Sequence, residues 1–374
     1  MQRLLDDSLA ASLGEIDRVL RRLGDDGEAV RGTLEREFAR YVTEKQRKEG
    51  GAWRRMIVGS VLMPAATAAL LLYWLKLRER AQRPADARAF LATDLARLST
   101  QYAYWRGMVA HLMESGTYVV PVPGNHEIQV RTRSALGREV RTATVENENA
   151  WRANMGDLIF NQAKWQAMTN LPATAWSIDN APQAGVDGIT TDQRQLSYSF
   201  DVGRIHFAII NTDPAGFDDS APVKWLEADF AASRQRGANR FFVFGHKMAF
   251  TYVPEKLRQR NVTRTDGLDA RPGVRDAFWD LIESYQAIFF TGHQHVFHAS
   301  QPRKDSGGKA WQVIVGSGGT NFSIKKGDSD NIYDYYYSWA DVSVLSDNTV
   351  RIKVLGFDEN FGPTRVIDSW DIQP

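Results

Sequence analysis

Three short apolar runs in this chain each end in a glycine that is followed by a side chain able to bind a metal ion. Such runs predict buried β-strands, and side chains that follow parallel strands gather at one edge of the sheet. This repeated design therefore predicts an α/β fold with a functional site at the strand ends. The three junctions are Pro123-Gly124-Asn125-His126-Glu127, Phe244-Gly245-His246-Lys247 and Thr291-Gly292-His293-Gln294-His295.

The rest of the chain beyond residue 117 supports this interpretation, because β-rich runs alternate with amphipathic stretches. The amphipathic stretches at 223–236 and 274–285 have the apolar spacing of helices that pack on a sheet. The predicted strands are residues 117–121, 196–200, 204–211, 240–244, 287–291 and 311–315.

The histidines of these junctions are candidate metal ligands. The chain has no cysteine, so a metal must be held by His, Asp, Glu or Asn. A single Gly-His after a strand is weak evidence, but Gly-His-Gln-His is stronger, because alternating imidazoles suit Zn, Fe or Mn. Four of the seven histidines lie in the junctions, namely His126, His246, His293 and His295.

The ordered set Gly-Asn-His-Glu, Gly-His and Gly-His-x-His resembles the calcineurin-like metallophosphoesterase superfamily. The connecting segments at 198–203 and 205–212 are similar to its purple-acid-phosphatase-like branch. The resemblance extends from about residue 94 to the end of the chain. It implies an αββα two-sheet sandwich that binds two divalent or trivalent metal ions, with Mn, Fe and Zn as the candidates.

The resemblance also implies a role for each matching residue. Asn125, His246 and His293 match the ligands of one metal, and His295 matches a ligand of the other. His126 matches the catalytic histidine that stabilises the phosphoryl group or protonates the leaving oxygen. The implied reaction is hydrolysis of a small phosphate ester through in-line attack by a metal-bound hydroxide.

Two expected motifs differ from the family pattern. The chain contains no Asp-x-His, which is expected near residues 58–66. The best match to the metal-bridging aspartate is Asp94, where Thr93 replaces the usual glycine; its alternative is an ordinary acidic residue near a helix N-terminus. Either the first strand has lost its ligands, or a foreign segment precedes an enzyme that begins near residue 85. Without Asp-x-His, the second metal should bind poorly.

We divide the chain into three parts. The pattern of residues 1–50 predicts an amphipathic helical extension. Residues 51–84 form an apolar segment, and residues 85–374 are the expected catalytic domain. The uncharged run 56–75 is long enough for a membrane helix, but a buried strand followed by a core helix fits equally well. The location of the protein thus stays open between membrane-anchored and soluble.

Charge and site pattern leave two functional hypotheses. With 46 basic and 45 acidic residues, the chain gives no reason to expect nucleic acid as a partner. The first hypothesis is a metallophosphoesterase, and the second is a catalytically impaired binding module that keeps the scaffold, with a membrane tether at 56–75 as one version. Arg131 and Arg133, just after His126, are candidates for contact with an anionic ester, although surface arginines are usually solvated.

Overall fold

The computed structural model of the protein describes residues 87–133, 139–159 and 161–374. The chain divides into two compact units, residues 1–92 and 93–374, and, apart from the helical residues 87–92, everything described below concerns the second. The predicted extension at 1–50 and the apolar segment at 51–84 lie outside the described residues. Among the residues that are described, no helix is both long and apolar enough to cross a membrane.

The described chain begins with a long helix and a short hairpin. Its helices are α1 (Ala87–Glu114), α2 (Asn125–Ile128), α3 (Val145–Met155), α4 (Gln162–Thr169), α5 (Val223–Gln235), α6 (Glu255–Gln259) and α7 (Pro272–Ser284). Its strands are β1 (Gln129–Arg133), β2 (Glu139–Ala143), β3 (Ala173–Thr174), β4 (Tyr198–Val202), β5 (Ile205–Ile210), β6 (Arg240–Gly245), β7 (Ile288–Thr291), β8 (Phe297–Ser300), β9 (Trp311–Val315), β10 (Tyr336–Val344), β11 (Val350–Asp358) and β12 (Arg365–Ile372).

Seven strands form one mixed sheet in the order β3-β4-β5-β6-β7-β9-β8. Its centre, β5-β6-β7-β9, is parallel, whereas β3, β4 and β8 pair antiparallel with their neighbours. Five of the six predicted strands are confirmed with small shifts of their ends. The strand predicted at 117–121 is wrong: residues 117–124 form no strand or helix and lead directly into α2.

The strands of this sheet are apolar on both faces because each face has its own core. In β6, Phe241 and Val243 pack against α5 and α7, while Phe242 faces the second sheet, β10-β11-β12. Val350 and Ile352 of β11 are fully buried on that side. Each such side chain contributes about 1.5–3 kcal/mol by burial.

These layers make the protein a mixed α/β structure in which helices cover one face of the large sheet and a second sheet covers the other. The predicted fold class is therefore confirmed at this level. The fourth layer of the expected αββα sandwich, helices outside the second sheet, is not among the described residues.

A cluster of ionisable side chains is buried between the large sheet and α5. His206 of β5 is fully buried, with its Nδ1 2.7 Å from Asp201 Oδ1 and its Nε2 2.9 Å from Asp229 Oδ2. Burial alone would lower the pKa of His206, but the hydrogen bonds and charges of the two carboxylates outweigh it and raise that pKa. The same contacts, together with those from Ser233 and Arg236, outweigh the burial of Asp201 and lower its pKa to about 2. This buried network therefore links β4 and β5 of the large sheet to α5.

Candidate metal centre

The first donor, Asn125, opens the short helix α2 and is almost fully buried, with 4% of its surface exposed. The Glu127 carboxylate accepts a 3.0 Å hydrogen bond from the Gly124 backbone nitrogen and so closes this turn. Any residue larger than glycine at 124 would place its Cβ 2.7 Å from Glu127 Oε2 and 3.1 Å from His246 Nδ1. Gly124 therefore allows the Asn125 turn to lie directly against the His246 ring.

The second and third donors follow β6 and β7. His246 comes directly after β6, and its backbone oxygen accepts bonds of 3.0 Å from the Gly292 nitrogen and 2.7 Å from the Thr291 hydroxyl. His293 has the left-handed backbone angle φ 62°, which is uncommon for a residue other than glycine and often marks a functional loop. The two bonds to the backbone oxygen of His246 hold the loops after β6 and β7 together.

Three donor atoms meet at this edge of the sheet. His246 Nε2 lies 2.8 Å from Asn125 Oδ1 and 3.1 Å from His293 Nδ1. Ligands bound about 2.1 Å from one cation lie roughly 3 to 3.5 Å from each other. The two spacings, 2.8 Å and 3.1 Å, are close to this range and are also hydrogen-bonding distances.

Asp266 orients the His293 ring. Its carboxylate oxygen Oδ2 lies 3.2 Å from His293 Nε2, and this contact lowers the pKa of the Asp266 carboxyl. A proton held on Nε2 by this carboxylate leaves a lone pair on Nδ1, the atom that faces His246. Our sequence prediction missed Asp266, because it lies in a loop far from every motif.

Gln129 orients the Asn125 amide in a similar way. Its Oε1 accepts a 3.4 Å bond from Asn125 Nδ2, and its Nε2 donates a 3.1 Å bond to Asp213 Oδ1. With its amino group directed to Gln129, Asn125 presents its carbonyl oxygen to His246. Asp213 is itself buried and held 2.5 Å from Lys247 Nζ, which also contacts Asp219. Our sequence prediction missed Gln129, Asp213 and Lys247.

His246 is suited to bind a cation. Burial, reinforced by the positive potential of His293 and Lys247, lowers the pKa of His246 to about 3. The ring is therefore neutral over the physiological range and keeps a lone pair for a ligand bond.

His126 lies beside these donors but has a different environment. Arg141 of β2 donates toward its ring, with Arg141 Nη1 3.0 Å from His126 Nε2. Partial burial, followed by the charges of Arg141 and Arg131, lowers the pKa of His126. The structure thus places His126 next to the three donors, on the side of the β1–β2 hairpin.

His295, which was matched to a second metal, makes its hydrogen bonds with the segment at 321–323. His295 Nδ1 lies 2.7 Å from the carbonyl oxygen of Asn321, and its backbone nitrogen donates to Ser323. Asp94 lies inside α1, seven residues after the first residue of that helix, and so neither at a strand end nor in the first helical turn. The structure describes the backbone of Asp94 only.

We tested the described residues for a metal site by the chemistry of their donors. Within residues 87–133, 139–159 and 161–374, no three His, Cys, Asp or Glu side chains are placed to hold one ion. The set at the sheet edge contains two histidines, and its third donor is the amide oxygen of Asn125. Two imidazoles and one amide oxygen fit a divalent cation such as Zn²⁺, which imidazole suits, or Mn²⁺, which carbonyl oxygen suits.

Two solved structures are distantly similar to this chain. No protein-family profile and no curated protein sequence matches this chain. A purple acid phosphatase from yellow lupin (Lupinus luteus) seeds is 16% identical, with a TM-score of 0.37, over 50% of this chain and 34% of that chain. A solved structure of PhoD is 14% identical, with a TM-score of 0.31, over 68% of this chain and 66% of that one. The chain thus spans about a third of the lupin phosphatase.

Proposed function

We propose that this protein hydrolyses phosphate esters with a divalent cation held by Asn125, His246 and His293. One observation carries the proposal: the three donor atoms come from three separate segments of the chain, and His246 Nε2 lies 2.8 Å and 3.1 Å from the other two. Two imidazole nitrogens and an amide oxygen that converge at one sheet edge offer three donors to a cation, and clusters of this kind are typical of functional sites.

The cation would act as a Lewis acid that polarises the phosphoryl oxygens and activates the attacking water. The protein's part is to hold the donors in position before the ion arrives. Asp266 fixes the His293 ring and Gln129 fixes the Asn125 amide, so little reorganisation is needed on binding.

His126 is the proposed catalytic side chain. It is exposed, it adjoins the three donors, and Arg141 holds its ring. From this position it would contact the phosphoryl group or the leaving oxygen and stabilise the charge that develops there.

Following the resemblance, the proposal includes a second metal ion bound through His295 and Asp94. It also includes the complete αββα arrangement of layers. A second candidate function is a phosphate-binding module without turnover. It is favoured by one observation on the sequence, the absence of Asp-x-His, which leaves a second metal short of ligands.

The test combines metal analysis with turnover. Full-length protein is dialysed against chelator, reloaded with Mn²⁺, and assayed on p-nitrophenyl phosphate. We expect Mn²⁺-dependent hydrolysis in the wild type, and loss of both bound metal and activity in His246→Ala. The matched control is His111→Ala, an exposed helix residue, which should retain both. Metal binding without hydrolysis would support the binding module. Hydrolysis rates that do not depend on the metal concentration would refute the metal-dependent mechanism.

A further inference from the structure

Four aromatic rings form a continuous row at one end of the second sheet. Phe322 contacts Tyr337 of β10 with 4.9 Å between the ring centroids, and Tyr337 stacks on Phe361 at 5.8 Å with 17° between the ring planes. Phe357 of β11 contacts both Tyr337 and Phe361, at 5.5 Å and 5.7 Å. These distances are those of favourable aromatic pairs. We call Phe322, Tyr337, Phe357 and Phe361 the aromatic row.

The chain segment that follows β9 passes beside the candidate metal centre. Gly316 is the first residue after β9. A Cβ added at Gly292 would lie 3.7 Å from His246 Nδ1 and 3.9 Å from the Cα of Gly316. The start of this segment therefore lies close to one of the proposed metal ligands.

The same segment then carries the first ring of the aromatic row. Its Asn321 carbonyl oxygen lies 2.7 Å from His295 Nδ1, and its Ser323 hydroxyl accepts a 2.8 Å bond from the His295 backbone nitrogen. Phe322 stands between these two residues in the chain, and His295 follows the proposed ligand His293 by two residues. The aromatic row thus begins next to the loop that carries His293.

The outermost ring of the row, Phe361, is held at the surface by a strained turn. Its side chain is 75% exposed, and its backbone angle φ of 56° is rare for a bulky residue. The Oδ1 atom of Asp358 accepts bonds of 3.0 Å and 3.1 Å from the backbone nitrogens of Asn360 and Gly362, which fixes the turn. Backbone strain of this kind concentrates at functional positions and ligand clamps. An exposed ring on a fixed, strained turn is therefore a candidate contact for a ligand.

We infer that the aromatic row binds a flat aromatic ring in the organic part of the substrate. The inference rests on the proposed function for the phosphoryl end of that substrate, which makes the substrate class an aromatic phosphate ester. The row offers uncharged ring faces, so it suits the uncharged part of an ester whose charged part lies at the cation. A flat ring can stack on these faces, whereas a saturated ring of the same size cannot.

The experiment compares two esters that differ in the flatness of one ring. Binding of 2-phenylethyl phosphate and of 2-cyclohexylethyl phosphate to the full-length protein with Mn²⁺ is measured by calorimetry. We expect the phenyl ester to bind about threefold more tightly or better, because aromatic pairs gain stability beyond the burial of their area. The cyclohexyl ring is the more apolar of the two, so hydrophobic burial alone would give the opposite order.

Four variants locate the preference in the aromatic row. Phe322→Ala and Phe361→Ala should bind the two esters equally, and Phe361→Tyr, which keeps the ring, should retain the preference. The matched control is Leu171→Ala, which alters an apolar residue with 51% exposure just before β3. This control should bind both esters as the wild type does.

Equal affinity of the wild type for both esters, binding of neither, or a preference that survives both Phe→Ala changes would overturn the inference. So would a dimer that Phe361→Ala dissociates in sedimentation, because the row would then contact a second copy of the chain. Mn²⁺ binding and hydrolysis of p-nitrophenyl phosphate, measured on the same preparations, test the proposed function separately. A ring preference without hydrolysis would refute only the proposed reaction, and hydrolysis without a ring preference would refute only the inference.

Discussion

The imidazole nitrogen Nε2 of His246 lies 2.8 Å from the amide oxygen of Asn125, although 121 residues separate them in the chain. His246 comes to this position at the end of a parallel strand, and Asn125 comes to it in the first residue of a short helix. His293 completes the set from the end of the next strand. Three separate segments of the chain thus meet at one edge of the large sheet.

His293 and His126 should have different roles although both lie at the site. Replacing His293 with alanine removes a proposed ligand, so bound metal and turnover should fall together. Replacing His126 with alanine should leave bound metal nearly unchanged and lower turnover on the order of 10²-fold. Metal analysis of both variants, with rates on esters of good and poor leaving groups, checks the assignment. If His126→Ala protein lost its metal and His293→Ala protein kept it, the two roles would have to be exchanged.

Asp266 should tune metal affinity through His293. Asp266→Asn weakens the 3.2 Å contact to His293 Nε2, so the ring loses its fixed tautomer. We expect affinity for Mn²⁺ to fall by about 10-fold or more, as for other groups that orient a ligand. Asp280→Asn, which alters an exposed partner of Arg303, serves as the control. Equal Mn²⁺ dissociation constants for Asp266→Asn and Asp280→Asn would argue against this positioning role.

Gln129 should act on metal binding through Asn125. Gln129→Leu removes both the acceptor for Asn125 Nδ2 and the donor to Asp213, so the Asn125 amide is free to rotate. Mn²⁺ affinity should fall several-fold, roughly 1 kcal/mol, the usual worth of one hydrogen bond. Gln259→Leu on the exposed helix α6 is the matched control. The idea is refuted by a Gln129→Leu protein that binds Mn²⁺ as tightly as the control.

The His206 network should make stability depend on pH. Because the folded pKa of His206 is raised, its stabilising effect is complete below the unfolded value of about 6.5 and is lost as pH rises through the folded pKa. Asp201, with its pKa lowered to about 2, loses its contribution as pH falls from about 3.9 toward that value. Urea unfolding across this pH range measures both effects.

Substitution of His206 tests the same network at fixed pH. His206→Phe leaves the buried carboxylates of Asp201 and Asp229 without their shared partner, so the free energy of unfolding should drop by about 3 kcal/mol. The loss of stability on the alkaline side should also disappear in this variant. His111→Phe, at an exposed position, should change stability by about 0.5 kcal/mol or less. A His206→Phe protein as stable as wild type would show that the network is not a source of stability.

The sequence determined five strands of the large sheet and the overall class of fold. Runs such as 240–244 and 311–315 are local signals, since a buried strand needs consecutive apolar residues and a glycine marks its end. The same local signal placed His246 and His293 at strand ends. It failed at 117–121, where apolar residues and two nearby prolines lead into α2 without joining the sheet.

Only the tertiary structure decided which atoms meet and what holds them. Asp266 and Gln129 carry no sequence signature, because their importance comes from a contact with a residue elsewhere in the chain. The sequence singled out Arg131 with Arg133, whereas pairing in the hairpin sets Arg131 opposite Arg141 and brings Arg141 to His126. Contacts of this kind depend on strand register and on loop position, which are properties of the whole fold and not of any one segment.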